Sequence, residues 1–143
     1  MTAPTLRIAF EAGVAEAVQV ALCHRIVDIG EEIGNMHASS GMTMGARAAI
    51  RFTLERASAY EALIDQLDGG YDQERVLVAD EDALFDLANL LHRFGVDEAD
   101  DWDDEDTPEA RKAIACGGRC VAAARVIAAS LGAPELVTAG ASA

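Results

Sequence analysis

Apolar residues at Val14, Val18, Leu22, Ile26, Ile29, Ile33 and Met36 recur every three or four positions. That period lines one face of an α-helix; a half-buried strand would alternate instead. The stretch predicts a helix over 11–36, with a bend near Gly30 and Gly34, because glycine weakens a helix interior by up to ~1 kcal/mol relative to alanine. A long helix with one apolar stripe is not stable alone. It must bury that stripe against neighbours.

The rest of the chain supplies them. Ser39-Ser40-Gly41 reads as a loop, with Ser40 or Thr43 as the cap of a second helix that runs to Leu67. Ile50, Leu54, Ala57, Ile64 and Leu67 form its inner face, Arg51 and Glu55 a surface pair, and Asp68-Gly69-Gly70 its end. A third helix starts at Asp80, buries Leu84, Leu87, Leu91 and Phe94, and closes at Gly95, with His92 at its rim. Thr107-Pro108 opens a fourth, a capping hydroxyl followed by proline at the first helical position. Its inner face is Ala110, Ile114, Gly117, Val121, Ala124, Ala128 and Leu131, and Gly132 stops it. Two short runs, 6–10 and 75–79, suit either a minor two-stranded β-ribbon or extensions of the helices. The expected fold is therefore all-α, a compact bundle of about four main helices, in a single domain over 1–135. Residues 136–143 are small and mostly uncharged and are expected to fray.

Between the third and fourth helices lies Asp97-Glu98-Ala99-Asp100-Asp101-Trp102-Asp103-Asp104-Glu105-Asp106, eight carboxylates in ten positions. Crowded like charges cannot be buried, so an acidic connecting loop is expected over 96–107, facing water or a cationic partner. The block supplies much of a net charge of −14. A field of that sign repels nucleic acid and anionic membrane and attracts a basic protein surface. The competing expectation is that the block folds back onto Arg111, Lys112, Arg119 and Arg125 of the next helix.

No apolar stretch approaches the ~18 residues of a membrane span. The opening Met-Thr-Ala-Pro-Thr-Leu-Arg lacks the basic-then-apolar order of a signal peptide, and Cys23, Cys116 and Cys120 are expected as reduced thiols in a cytoplasm. Cys116 and Cys120 stand one helical turn apart. A zinc site would need Cys23 and His24 as well, so packing is the expected role of the pair. The serines lack a Gly-x-Ser-x-Gly context, and Gly41-Met-Thr-Met-Gly45 lacks the lysine of a phosphate-binding loop.

His24, Asp28, Glu31 and Asn35 share a helical face, as ligands for Mg²⁺ or Mn²⁺ do, with Glu61 and Asp65 or Asp82 and Asp86 available to complete a set. A solvated polar face has the same pattern, and no cofactor is expected. Asp28-x-x-Glu31 together with Glu31-Glu32-Ile33-Gly34-Asn35 resembles the paired-glutamate helix of the all-α nucleoside triphosphate pyrophosphohydrolases, the MazG-like group. The resemblance implies a Mg²⁺-dependent hydrolase, but the family's second motif, Glu-x-x-Asp, is absent. Asp82-Ala-Leu-Phe-Asp86 and Glu61-Ala-Leu-Ile-Asp65 are each one residue too long.

The leading expectation is a non-enzymatic protein whose acidic segment occupies a basic, nucleic-acid-binding surface of another protein. Asp97, Glu98, Asp100, Asp101, Asp103, Asp104, Glu105 and Asp106 would steer it and Trp102 would anchor it. The hydrolase is the second reading and a helical assembly protein the third, with homo-oligomerisation left open.

Overall fold

Three helices of this chain begin in the same way. Thr43, Asp80 and Thr107 lie in extended backbone, and their side-chain oxygens accept from the amides of Ala46 (3.2 Å), Ala83 (2.8 Å) and Ala110 (3.1 Å). Each bond satisfies an amide that a helix start leaves without an intrahelical acceptor. The computed structural model describes residues 4–40, 43–69, 73–133 and 135. Its elements run β1 (Thr5–Phe10), α1 (Ala12–Ser40), α2 (Met44–Gln66), β2 (Arg75–Asp80), α3 (Glu81–Asp101) and α4 (Pro108–Ser130). This is the expected helical bundle with a small ribbon. The 136–143 tail, Gly41 and Gly70 lie outside the described residues.

The two short runs are strands. β1 pairs antiparallel with β2, Leu6 opposite Ala79 and Ile8 opposite Leu77. Alternation sends Ile8, Phe10 and Leu77 into the core. Gln66 fixes the ribbon to α2, donating from Nε2 to Val78 O (3.0 Å) while its Oε1 accepts from Val78 N (2.8 Å). Arg75 is buried and turns back onto the C-terminal end of α2. Its guanidinium donates to the carbonyls of Leu67 (3.1 Å), the cap of α2, and Gly69 (3.0 Å) in the turn that follows.

α1 and α3 lead away from the ribbon, and α2 and α4 return to it. The α1–α2 and α3–α4 connections therefore share the end opposite the ribbon. The core is built from Val18, Leu22 and Ile29 of α1, Leu63 and Leu67 near α2, Leu84, Leu87 and Leu91 of α3, and Cys120 and Ile127 of α4.

Several expectations are corrected. Gly95 does not end the third helix. A Cβ at Gly95 would clash with Gly117 O and lie 2.5 Å from Val121 Cγ2, so glycine here serves close approach of α3 and α4. α3 continues to Asp101, and half of the presumed acidic loop is helical. α1 likewise passes Met36 to Ser40, and within its last turn the Ser39 hydroxyl donates to Asn35 O (2.8 Å). Ile114 and Leu54 are surface residues, 38% and 52% exposed, and His92 is buried. Arg51 and Glu55 form no pair among the described residues. α4 is also long and apolar enough, by length and composition, to cross a membrane, contrary to the expectation that no stretch is. Alanine gives it that character, and its buried face packs on α3 and α1.

Candidate functional site

The eight carboxylates are divided between a helix end and the turn that follows it. Asp97, Glu98, Asp100 and Asp101 occupy the last two turns of α3, Trp102 caps the helix, and 103–106 form the turn into α4. The Trp102 amide donates to Glu98 O (3.2 Å), its indole Nε1 donates to Glu98 Oε2 (3.1 Å), and Glu105 N donates to Trp102 O (3.2 Å). Trp102 and Glu98 are thereby half-buried, while Asp97, Asp100, Asp101, Asp103, Asp104, Glu105 and Asp106 are exposed.

The block is not clamped onto α4. Arg111 pairs with Asp106 at 2.6 Å, but the two side chains are 64% and 91% exposed, and such pairs contribute ~1 kcal/mol or less. Lys112, Arg119 and Arg125 are exposed and make no ion pair among the described residues. The carboxylates of 97–101 also lie at the negative end of the α3 dipole, where negative charge is disfavoured by a few tenths of a kcal/mol or more each. Asp106 and Glu109, near the start of α4, are in the favourable position. The α3 end thus carries charge that folding does not use.

A second concentration of polar groups lines a cleft of about 780 Å³ between α1, α2 and α3. Tyr60, buried in the α2 face, donates its hydroxyl to Asp86 Oδ2 (2.7 Å). Arg56 Nη2 donates to both Asp86 Oδ1 (3.2 Å) and Tyr60 Oη (3.1 Å). Burial, then the neighbouring Asp86 carboxylate, pushes the Tyr60 phenol above its ordinary pKa. Arg25 donates to Glu32 at 2.9 Å, a bond that raises its own pKa. The His24 ring lies 5.3 Å from that of Phe94.

The cleft brings Asp28 near Glu32 and Asp86, whereas Glu31, Glu61, Asp65 and Asp82 are exposed outside it. Among the described residues no three His, Cys, Asp or Glu side chains converge closely enough to hold a metal ion. Asp86 instead accepts from Arg56 and Tyr60, and Glu32 accepts from Arg25. Sequence reading missed Tyr60 and Arg56. The signal was there: Tyr60 interrupts the stripe Ala57, Ile64, Leu67 with a hydroxyl that requires a partner.

Cys120 is buried and its thiol donates to Ala17 O at 3.2 Å. Desolvation pushes both the Cys116 and Cys120 thiols above their ordinary pKa, while Cys23 is exposed. A thiol held protonated is a poor nucleophile. Ellman titration of the native protein is expected to show one fast thiol, lost in Cys23→Ser. Fast reaction at all three would mean that α4 does not pack as described. Replacing Cys116 and Cys120 by alanine together is expected to cost about 1–2 kcal/mol, read by urea denaturation, because little volume is removed.

Comparison of the chain with models of known protein families, with curated proteins and with solved structures finds no match.

Proposed function

We propose that this chain is a non-enzymatic binding protein whose acidic α3 end occupies a basic, nucleic-acid-binding surface of a partner protein. One observation carries the reading. Seven of the eight carboxylates of 97–106 are exposed, only a single surface pair neutralises them among the described residues, and they stand partly at the dipole end where they do not help the fold. Charge placed against the interest of the fold serves something outside it. Attraction to a cationic surface extends over a Debye length of ~8 Å at physiological salt and raises the encounter rate. The Glu98–Trp102 bond presents the indole in one orientation, so an aromatic contact forms with little loss of rotamer freedom. Work of this kind suits an anti-defence inhibitor encoded by a phage, of anti-CRISPR or anti-restriction type, or the immunity protein of a nuclease toxin. Either acts in the cytoplasm.

Competition tests the proposal. Partner captured on the immobilised chain is expected to be released by a short DNA duplex and by rising salt, since both oppose the same contact. Partner that stays bound in the presence of duplex would show that the occupied surface is not a nucleic-acid site.

A further inference from the structure

The α1–α2 hairpin projects as an arm. Ile29 is the last buried residue of α1 and Tyr60 the first of α2, and no described side chain from 30 to 59 is buried. Ile33, Met36, Ile50 and Ala57 are half-covered, while Val27 is 63%, Met44 89%, Phe52 63% and Leu54 52% exposed. Two helices packed only on each other leave both flat faces of the hairpin in water, and helices hold their shape chiefly by burying an apolar face.

The two faces differ. Helical spacing places Phe52 one turn from Arg56, on the side of the cleft. Leu54 lies two residues on, about 200° around the helix. It shares the far side with Ile50 and Arg47. On α1 the cleft side takes His24, Asp28 and Glu32, which leaves Val27, Gly30 and Gly34 on the far side. A Cβ on Gly30 or Gly34 would meet nothing within 4 Å, so the space above them is open.

Charge selects the occupant. Residues 30–59 hold three glutamates and three arginines, so the arm is neutral and the full −14 belongs to the rest of the chain. Glu32 faces the cleft, paired with Arg25, but Glu31 of α1 is exposed outside it, and Arg47 and Arg51 of α2 lie on the opposite helix. A two-fold axis that sets the α1 half of one arm on the α2 half of another therefore brings opposite signs together. It also leaves the two acidic bodies at opposite ends of the joined arms. A basic partner has no electrostatic reason to choose a neutral face, whereas two acidic chains repel least where they meet through a neutral arm.

We infer that the far face of the arm (Val27, Gly30, Gly34, Ile50, Leu54) is a homodimer seam, closed by the same face of a second copy. The seam is separate from the acidic α3 end, and the two respond to salt in opposite senses. Salt screens repulsion between the bodies and leaves apolar burial intact, so the dimer persists as salt rises, whereas binding through the acidic block weakens.

Sedimentation equilibrium of the full chain over micromolar concentrations tests this. The expected mass is twice the 15.0 kDa of one chain, at low and high salt alike. Leu54→Asp and Val27→Asp are each expected to give monomer with an unchanged circular dichroism spectrum, since both sites are exposed in the single chain. Phe52→Asp, on the opposite face, is expected to remain dimeric. A wild-type chain that is monomeric throughout, a dimer that dissolves at high salt, or a Leu54→Asp dimer overturns the inference. A monomeric wild type would leave the duplex-competition result for the acidic end unaffected.

Discussion

Gly95→Val is expected to lower the melting temperature by roughly 10 °C or more, the largest loss of any single substitution outside the aliphatic core. A Cβ at this position meets the Gly117 carbonyl oxygen and the Val121 side chain, and the first of these is backbone that no rotamer change can move. α3 and α4 must separate, which strips contact from Leu91, Cys120 and Ala124 along the most extensive helix pair of the molecule. Overpacking of this kind costs about 3 kcal/mol, and a chain of this size loses roughly 3–5 °C for each kcal/mol. Gly118→Ala is the control. The neighbouring glycine has nothing within 4 Å of an added Cβ, so relief of backbone entropy should stabilise it by about 0.5–1 kcal/mol. Thermal melts of the two variants distinguish contact from propensity. If Gly95→Val and Gly118→Ala melt within a degree or two of each other, the close crossing is wrong. The effect reaches the acidic end too. Trp102 lies two turns beyond Gly95 on the same helix, so its fluorescence should shift in the valine variant while the protein is still folded.

That crossing also explains where the sequence was legible and where it misled. Helix starts with a local mechanism were legible: Thr107 as a cap, Thr43 as one of two candidates beside Ser40, and Asp80 as a start, each bonding to an amide three residues away, which nothing distant can change. The inner faces of α3 and of the first half of α1 followed from spacing alone. Gly95 misled because glycine has two uses, ending a helix or admitting a neighbour, and only the position of Gly117 chooses between them. Leu54 failed for a related reason. Periodicity marks a face as apolar but does not say that the chain itself supplies the cover, and the α1–α2 arm outreaches its own bundle. At the acidic end, composition established that the carboxylates must face water. It did not reveal that Asp97 to Asp101 are helical, or that Trp102 is tied to Glu98. Asp86 joins Tyr60 and Arg56 from 26 and 30 positions away, a separation at which no spacing rule operates.

Replacing Asp101, Asp103, Asp104 and Asp106 by asparagine is expected to leave the melting temperature unchanged or to raise it, and to slow association with the basic partner by about tenfold to a thousandfold at low salt. The stability half follows from what these side chains touch. Asp106 loses an exposed pair with Arg111, worth less than ~1 kcal/mol. Against that, removal of four charges relieves repulsion among eight and reduces the conflict at the negative end of α3. The kinetic half follows from where the charges stand. Exposed carboxylates steer the encounter without being desolvated in the complex, so their loss appears in the association rate and flattens its dependence on salt. Trp102→Ala should behave differently. The indole supplies contact area, so its removal should speed dissociation, by about 2 kcal/mol or roughly thirtyfold, with little change in the association rate. Stopped-flow or surface-bound kinetics at two salt concentrations, beside a thermal melt, read all of these. A fourfold variant that melts markedly lower would mean that the block holds α4 in place rather than a partner. One that folds normally and still associates at the wild-type rate would remove the acidic end from the interface altogether.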